Sequence, residues 1–368
     1  EENGFGNPDA AYDALRFLRG SGPDYRLTER GSRCLERLAP LMMTALLDSP
    51  SPDQALNNLE RFLQALRAKT SFFSLLVENP KIVSLLLSLF GSSQLLSRIF
   101  IQRPELLDTM VSSSYATSFK PQNRMAEELT EQMALATDYE QQLDVLRRYR
   151  NEEFLRIALN DLQGQIGQTE GTVQLSWLAN VCLAQAVRMG VAELTVRYGM
   201  PSQAGGTVSD LPFAIVGMGK LGGLELAYHS DLDIIFIYEG EGQTEAVTGT
   251  DPERFRSINN RDYYARLAQR IITVLTLVTR EGFVYKIDTR LRPSGNQGPL
   301  VTSLHAFEDY HQQSAQPWER QALTKALVVC APDSFGRRCQ AIIEQLTFDR
   351  PLPPHLKQDR FRDGFRHG

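Results

Sequence analysis

In the stretch Phe213-Ala-Ile-Val-Gly-Met-Gly-Lys-Leu-Gly-Gly-Leu-Glu-Leu-Ala-Tyr-His-Ser-Asp-Leu-Asp-Ile-Ile-Phe-Ile-Tyr238, an apolar run leads into glycines and a second apolar run opens on Asp-x-Asp. Phe213 to Val216 reads as a short buried strand, and Asp231 to Tyr238 as a second, with a short helical turn between them. Gly222 and Gly223 let backbone N–H groups approach a ligand closely, and the turn that follows a strand favours anions at its start. Asp231 and Asp233 stand two apart on a strand, so both carboxylates point to one face. Carboxylates on one face beside a phosphate cradle suit Mg²⁺, which takes hard oxygen ligands and completes its shell from phosphates and water. Taken singly, the glycines fit a tight turn and Asp-x-Asp fits an exposed polar face; their succession at this spacing is far more specific.

Working outward, Leu267, Ile271, Val274, Leu275 and Val278 recur at helical spacing and predict a helix over Asp262 to Thr279. Phe283 to Leu291 reads as a third strand. Lys286, Asp288, Arg290 and Arg292 are expected on its polar face, alternating with Phe283, Tyr285, Ile287 and Leu291 on a buried one. Ser303 to Gln345 has a helical pattern. Upstream, Leu59, Phe62, Leu63 and Leu66, then Ile82, Leu85, Leu86 and Leu89, repeat at helical spacing. Pro52, Pro80, Pro104 and Pro121 fall where successive helices should end or begin. Leu143 to Leu162 mixes Arg147, Arg148, Arg150, Glu152 and Glu153 with apolar positions, as an amphipathic helix would. The period changes at the Gly/Ser-rich stretch Pro201 to Asp210. The expected class is therefore α+β: a helical region over 1–205, a catalytic domain with a mixed sheet over 206–350, and a tail over 351–368.

The 368 residues carry a net charge of −5, which gives no long-range attraction to nucleic acid or to an anionic membrane. Phosphate binding must then rest on local cations. Cys34, Cys182, Cys330 and Cys339 are scattered, form no CxxC pair, and fit a reducing cytoplasm better than a zinc site or disulfides. No signal peptide and no membrane-spanning apolar run is expected. A first residue Glu1 and a ragged tail suggest a segment of a longer polypeptide.

The glycine turn followed by Asp-x-Asp resembles the polymerase-β-like nucleotidyltransferases, although Gly223 stands where many members have Ser. That resemblance implies a third carboxylate on a neighbouring strand, for which Asp288 is placed. The metal ligands are then Asp231, Asp233 and Asp288, whose carboxylates are expected within about 5 Å of a shared point and to hold two Mg²⁺. Lys220, Gly222, Gly223, Arg290 and Arg292 are expected at the phosphates of ATP.

More specifically, the runs Gly217 to Asp233, Asp288-x-Arg-Leu-Arg-Pro-Ser-Gly295 with Gly298-Pro-Leu-Val301, and Trp318-Glu-Arg-Gln-Ala-Leu323 resemble the glutamine synthetase adenylyltransferase family. Leu146 to Asp161 is similar to the helical segment ahead of that family's catalytic core. The resemblance implies transfer of AMP from ATP to a tyrosine hydroxyl of glutamine synthetase, with release of pyrophosphate. Members carry two such halves, one attaching AMP and one removing it by phosphorolysis. Arg-Leu-Arg-Pro-Ser-Gly, Trp-Glu-x-Gln-Ala-Leu and the segment Leu59 to Asp108 look like the adenylylating C-terminal half, while Arg320 leans to the other. Family behaviour also implies a PII-type regulatory protein as a partner. The alternatives are the deadenylylating half, a non-catalytic module binding a PII-type regulator, and transfer of UMP. His229 reads as a loop residue without a catalytic role, Trp318 as core packing, and Glu319 as either site or core.

Overall fold

Helices start where the sequence supplies caps and prolines. The computed structural model describes residues 4–20, 27–106, 119–202 and 210–349. Its first helices are α1 (Pro8–Leu18), α2 (Glu29–Leu47), α3 (Pro52–Ala65), α4 (Lys69–Glu78), α5 (Pro80–Ser92) and α6 (Gln94–Gln102). Pro52 and Pro80 open α3 and α5, where the N–H that proline lacks would have no intrahelical partner. The side chains of Asn7, Thr28 and Ser93 accept the backbone N–H groups of Ala10, Gly31 and Leu96, capping α1, α2 and α6. The apolar faces meet at Phe62, whose ring lies 5.4 Å from Phe72, 5.5 Å from Phe90 and 6.5 Å from Phe100. Asp108, the end of one matching run, and the tail 351–368 lie outside the described residues, as does most of the loop after Pro201.

Among the described residues α7 (Gln122–Ala134) and two longer helices, α8 (Tyr139–Leu162) and α9 (Gln168–Tyr198), follow. Backbone proximity groups residues 1–120 with 151–171 in one compact unit, and 121–150 with 172–368 in a second. Much of the helical region is thus built into the sheet-bearing unit, and the division does not follow the change of period near residue 205. Most of the α8 charges are also not on a solvated face, although Arg148 is exposed. Arg147, Arg150, Glu153 and Arg156 are all buried. In the first unit the Glu153 carboxylate accepts from Lys120 Nζ at 2.6 Å and Arg156 Nε at 3.0 Å, which offsets the cost of removing these charges from water. Helix α9 is long and apolar enough to cross a membrane, against the sequence expectation, and 78% of its apolar window is buried within the protein.

The rest of the second unit is β1 (Met200–Pro201), β2 (Phe213–Gly217), α10 (Gly219–Gly222), β3 (Leu232–Tyr238), β4 (Thr244–Glu245), α11 (Asn260–Thr276), β5 (Ile287–Asp288), β6 (Val301–Ser303), α12 (Leu304–Gln313), α13 (Pro317–Ala322), β7 (Leu327–Cys330) and α14 (Asp333–Glu344). The sheet is mixed. β2 pairs antiparallel with β3 on one side and β7 on the other, while β5 and β6 both pair parallel with the free edge of β3. Alternate residues Ala214, Val216, Ile235 and Ile237 form a core with Leu304 and Phe307 of α12 and Phe335 and Cys339 of α14. The opposite face carries Phe213, stacked on Tyr264 of α11 with ring centroids 5.8 Å apart. The fold is α+β with a mixed sheet, as expected, but β7 interrupts a stretch that the sequence reads as wholly helical.

Two further differences share one cause. Helix α11 stops at Thr276, leaving Val278 71% exposed where a core position was expected. The third strand shrinks to Ile287–Asp288, with Phe283 exposed and Val284 and Tyr285 both buried. The N–H groups of Val284 and Tyr285 both donate to the Leu275 carbonyl at the end of α11. The buried Arg147 guanidinium donates to the carbonyls of Val274, Leu277 and Gly282. A cation and two N–H groups thus take the orphan carbonyls of the helix end, and residues 282–285 cap a helix in place of extending a strand.

Candidate functional site

Asp233 is the second residue of β3 and Asp288 the last of β5, and the two are direct partners in the parallel register. Adjacent strands lie about 4.8 Å apart, so the two carboxylates emerge side by side on one face. That face is the one on which Ile235 and Ile237 continue into the core. Asp231 precedes β3 by one residue, exposed, on the same alternation. The chain leaves the sheet after Asp288 and rejoins β3 at Val301, opposite Phe236, only three positions beyond Asp233. The intervening loop 289–300 therefore springs from the carboxylate pair itself.

The electrostatics follow from this crowding. Burial, then the like charges of Asp288 and Asp231, push the Asp233 carboxyl above its usual range, with Arg290 and Lys220 partly offsetting them. Asp288 is held below the usual range, first by its hydrogen bonds with the Arg290 side chain. Arg290 Nε reaches its two oxygens at 3.0 and 2.8 Å. The guanidinium is otherwise exposed and so clasps Asp288 from the solvent side.

Lys220 is exposed on α10 and near enough to Asp233 to favour its charged form. The glycines do work different from that expected. Gly219 has φ +52°, and a Cβ there would meet Asp233 Oδ2 at 2.9 Å, so a side chain at 219 would invade the carboxylate site. Gly222 seats the turn against backbone: a Cβ would fall on the carbonyl oxygens of Lys325 and Gly217. The N–H groups of Gly222 and Gly223 donate to the carbonyls of Met218 and Gly219, closing the turn. Arg292 is buried, and its guanidinium donates to the carbonyls of Thr289 at 2.8 Å and Pro299 at 3.1 Å. It ties the two ends of the 289–300 loop together, where a phosphate contact was expected.

His229 lies exposed in the turn before Asp231, as read from the sequence. Trp318 is 56% exposed, contrary to the packing role expected of it. Its neighbour Glu319 is buried, accepting from Tyr310 Oη at 2.8 Å and the Gln316 N–H at 2.7 Å. Sequence reasoning did not single out Tyr310 or Gly219; a third glycine in the turn was the available signal for the latter.

The oxygen donors suit a hard divalent cation in chemistry and charge, with like carboxylates already raising the Asp233 pKa. Among the described residues, however, no three His, Cys, Asp or Glu side chains form a ready cage, and Asp288 is turned to Arg290. Closing a cage on all three aspartates requires the Arg290 side chain to swing away.

Residues 83–342 match the family model of glutamate–ammonia ligase adenylyltransferase. Similar proteins include the bifunctional glutamine synthetase adenylyltransferase/adenylyl-removing enzymes of Thioalkalivibrio sulfidiphilus and Pseudomonas aeruginosa. Each is 35% identical, over 88% and 93% of this chain and 33% and 34% of their own length. The enzyme of the same name from Nitrosococcus oceani is 32% identical over 99% of this chain and 37% of its own. The chain thus spans about a third of the length of these relatives. Two long motifs in order, a carboxylate pair in register and a family match over most of the chain agree: the chain belongs to the glutamate–ammonia ligase adenylyltransferase family.

Proposed function

We propose that this chain carries a polymerase-β-like nucleotidyltransferase site and transfers AMP from ATP to a tyrosine hydroxyl of glutamine synthetase, releasing pyrophosphate. The observation that carries this reading is the register pairing of Asp233 with Asp288, with Asp231 on the same alternation beside a glycine turn bearing Lys220. The relatives' names supply the protein substrate. Asp231, Asp233 and Asp288 would hold two Mg²⁺, which when bound supply positive charge at the α-phosphate and the leaving pyrophosphate. Lys220 and the released Arg290 are the cations of the chain itself that face the phosphates. Gly219 keeps the mouth of the site clear of side chain, and Arg292 fixes the loop beyond Asp288. The acceptor tyrosine has an ordinary pKa of about 10, so its proton must pass to a carboxylate or be weakened by a cation as the O–P bond forms.

The adenylylating direction rests on Pro293-Ser-Gly295 and Gln321-Ala-Leu323. Arg320, which leans the other way, donates from its side chain to the Thr347 carbonyl and so serves packing of the C-terminal segment. Incubation with unmodified glutamine synthetase, Mg²⁺ and ATP labelled in the adenine should label the synthetase on tyrosine. Absence of label, with phosphate-dependent release of ADP from pre-adenylylated synthetase, assigns the opposite direction. If neither product forms, the proposal fails.

A further inference from the structure

Helix α11 covers the face of the sheet opposite the aspartates, and the C-terminal part of α9 packs along it. Gly190 sets how closely the two helices approach, since a Cβ there would meet Leu267 Cδ1 at 2.9 Å and Arg270 Cγ at 3.5 Å. Beyond Gly190 the helices leave a cavity of about 370 Å³, whose wall includes Glu193, Arg197, Tyr198, Arg266 and Arg270. The guanidinium carbons of Arg197 and Arg266 lie 5.3 and 5.2 Å from the centroid of the same ring, that of Tyr198, so one aromatic side chain holds both cations. Arg270 pairs with Glu193 at 2.5 Å. Glu193 is the only carboxylate on the wall, and that pairing takes its charge. Asp251, whose N–H donates to the nearby Val196 carbonyl, gives its carboxylate to Arg254.

Arg197 and Arg266 are both exposed, and among the described residues neither has an ion pair or a side-chain hydrogen bond. Three arginines against one glutamate leave the wall with surplus positive charge in a chain of net charge −5. Arg197 stands in the last turn of α9, where a cation suits the helix dipole. Arg266 lies in the N-terminal half of α11, the wrong end of its helix for that. Stacking on Tyr198 fixes the two cations without neutralising them, and like charges held on one ring repel. A ligand with several anionic oxygens relieves that repulsion and engages the guanidinium forks.

We propose that the cavity between α9 and α11 is a second binding site, for a small polyvalent oxyanion, a phosphate ester or a polycarboxylate, gripped by Arg197 and Arg266 with Arg270 on the same wall. The site is separate from the aspartates and does not depend on the AMP-transfer reading. A cavity of this size holds a small ligand, and two packed helices give it a rigid frame.

The test is calorimetric titration of the full chain in magnesium-free buffer, with sodium chloride holding the ionic strength constant. Inorganic pyrophosphate is the probe in one arm and citrate in the other. The parent should bind at least one of them, and the tighter arm tells a phosphate site from a carboxylate site. Arg197→Gln combined with Arg266→Gln should weaken that binding about tenfold or more. Arg266→Gln alone should weaken it about threefold, so the outcome does not hang on the folding of the double variant. Lys220→Gln combined with Arg290→Gln removes the cations beside the aspartates and should leave the affinity within about twofold. Binding of neither probe by the parent, equal affinity in the parent and the Arg197 and Arg266 variants, or a loss confined to the Lys220 and Arg290 variant overturns the proposal.

Discussion

Replacing Gly222 and Gly223 by alanine, one at a time, separates two reasons for a glycine pair. At 222 an added Cβ would come within 3.0 Å of the Gly217 carbonyl carbon and closer still to the carbonyl oxygens of Gly217 and Lys325. All of these are backbone atoms, so neither a rotamer change nor a flexible chain end relieves the clash. Either α10 or the 323–325 turn must move. Overpacking commonly costs about 1–3 kcal/mol, and two backbone carbonyls place this site at the upper end, about 3 kcal/mol. At 223 the corresponding neighbours are the Gly219 carbonyl and Lys325 Cδ at 3.3 Å and Glu225 Cδ at 3.4 Å. Two of these are flexible side chains, and φ at Gly223 is an ordinary −77°. Alanine there also gains about 0.4–1 kcal/mol from a less flexible unfolded chain, so the net change should stay within about 1 kcal/mol. Trp177 and Trp318 both belong to the sheet-bearing unit, so tryptophan fluorescence during urea unfolding reports on the right part of the chain. Equal midpoints for the two variants, or a Gly222→Ala protein as stable as the parent, would refute the claim that Gly222 is required by packing.

Three other perturbations have definite outcomes. The Asp233 carboxyl is raised above its unfolded value by burial and by Asp288 and Asp231. Its charged form therefore destabilises the fold at neutral pH, and the penalty vanishes as pH falls below the ordinary carboxylate range. Asp233→Asn should accordingly raise the thermal midpoint at pH 7 without divalent ions, show no gain near pH 3, and abolish AMP transfer; a variant that keeps full activity defeats the site assignment. Asp288 is depressed by Arg290, so their pairing contributes stability above the ordinary carboxylate value and loses it as pH falls through the depressed one. Arg290→Gln should remove that contribution and, by freeing Asp288, tighten Mn²⁺ binding measured by electron paramagnetic resonance; unchanged or weaker Mn²⁺ affinity contradicts the clasp. Arg147→Met leaves the carbonyls of Val274 and Leu277 at the helix end without their guanidinium donor, removes a second donor from those of Leu143 and Gly282, and should cost on the order of 3 kcal/mol in denaturant unfolding, with Arg147→Lys recovering little because an ammonium cannot span the same fork.

What the sequence shows well is whatever depends on period and on local backbone chemistry. The two strands flanking the glycine turn lie where their apolar runs put them, and the aspartates open β3 as Asp-x-Asp suggests. Pro52 and Pro80 start helices because their constraint is local. The third strand fails for the opposite reason. Lys286 to Arg292 has the polarity pattern of an extended edge, but which N–H groups of residues 283–285 are needed elsewhere depends on where α11 ends. That end is set by Arg147, more than a hundred positions earlier. Helix α8 fails in the same way: its charges read as a solvated face because partners such as Lys120 and Tyr285 lie far off in the sequence.

The basic residues of the site show why charge type alone does not assign a role. Arg290 and Arg292 stand two apart in one motif, and by charge alone both read as phosphate ligands. The loop separates them. Arg290 remains exposed on the carboxylate side, one hydrogen-bonded fork away from Asp288, and is free to exchange that partner for another anion. Arg292 turns inward, and its guanidinium is committed to carbonyls at both ends of the loop, a role that any arriving phosphate would have to break. A guanidinium offers five donors in a fixed plane, so it can brace a loop as readily as it can clamp an oxyanion. Burial makes the choice: the inward arginine must find protein acceptors to leave water at all, whereas the outward one keeps its charge available. The same reasoning separates Trp318 from Glu319. The adjacent positions exchange the burial that their polarity suggests, because Glu319 has Tyr310 and Gln316 to receive it and Trp318, at the first turn of a six-residue helix, has no comparable place in the core.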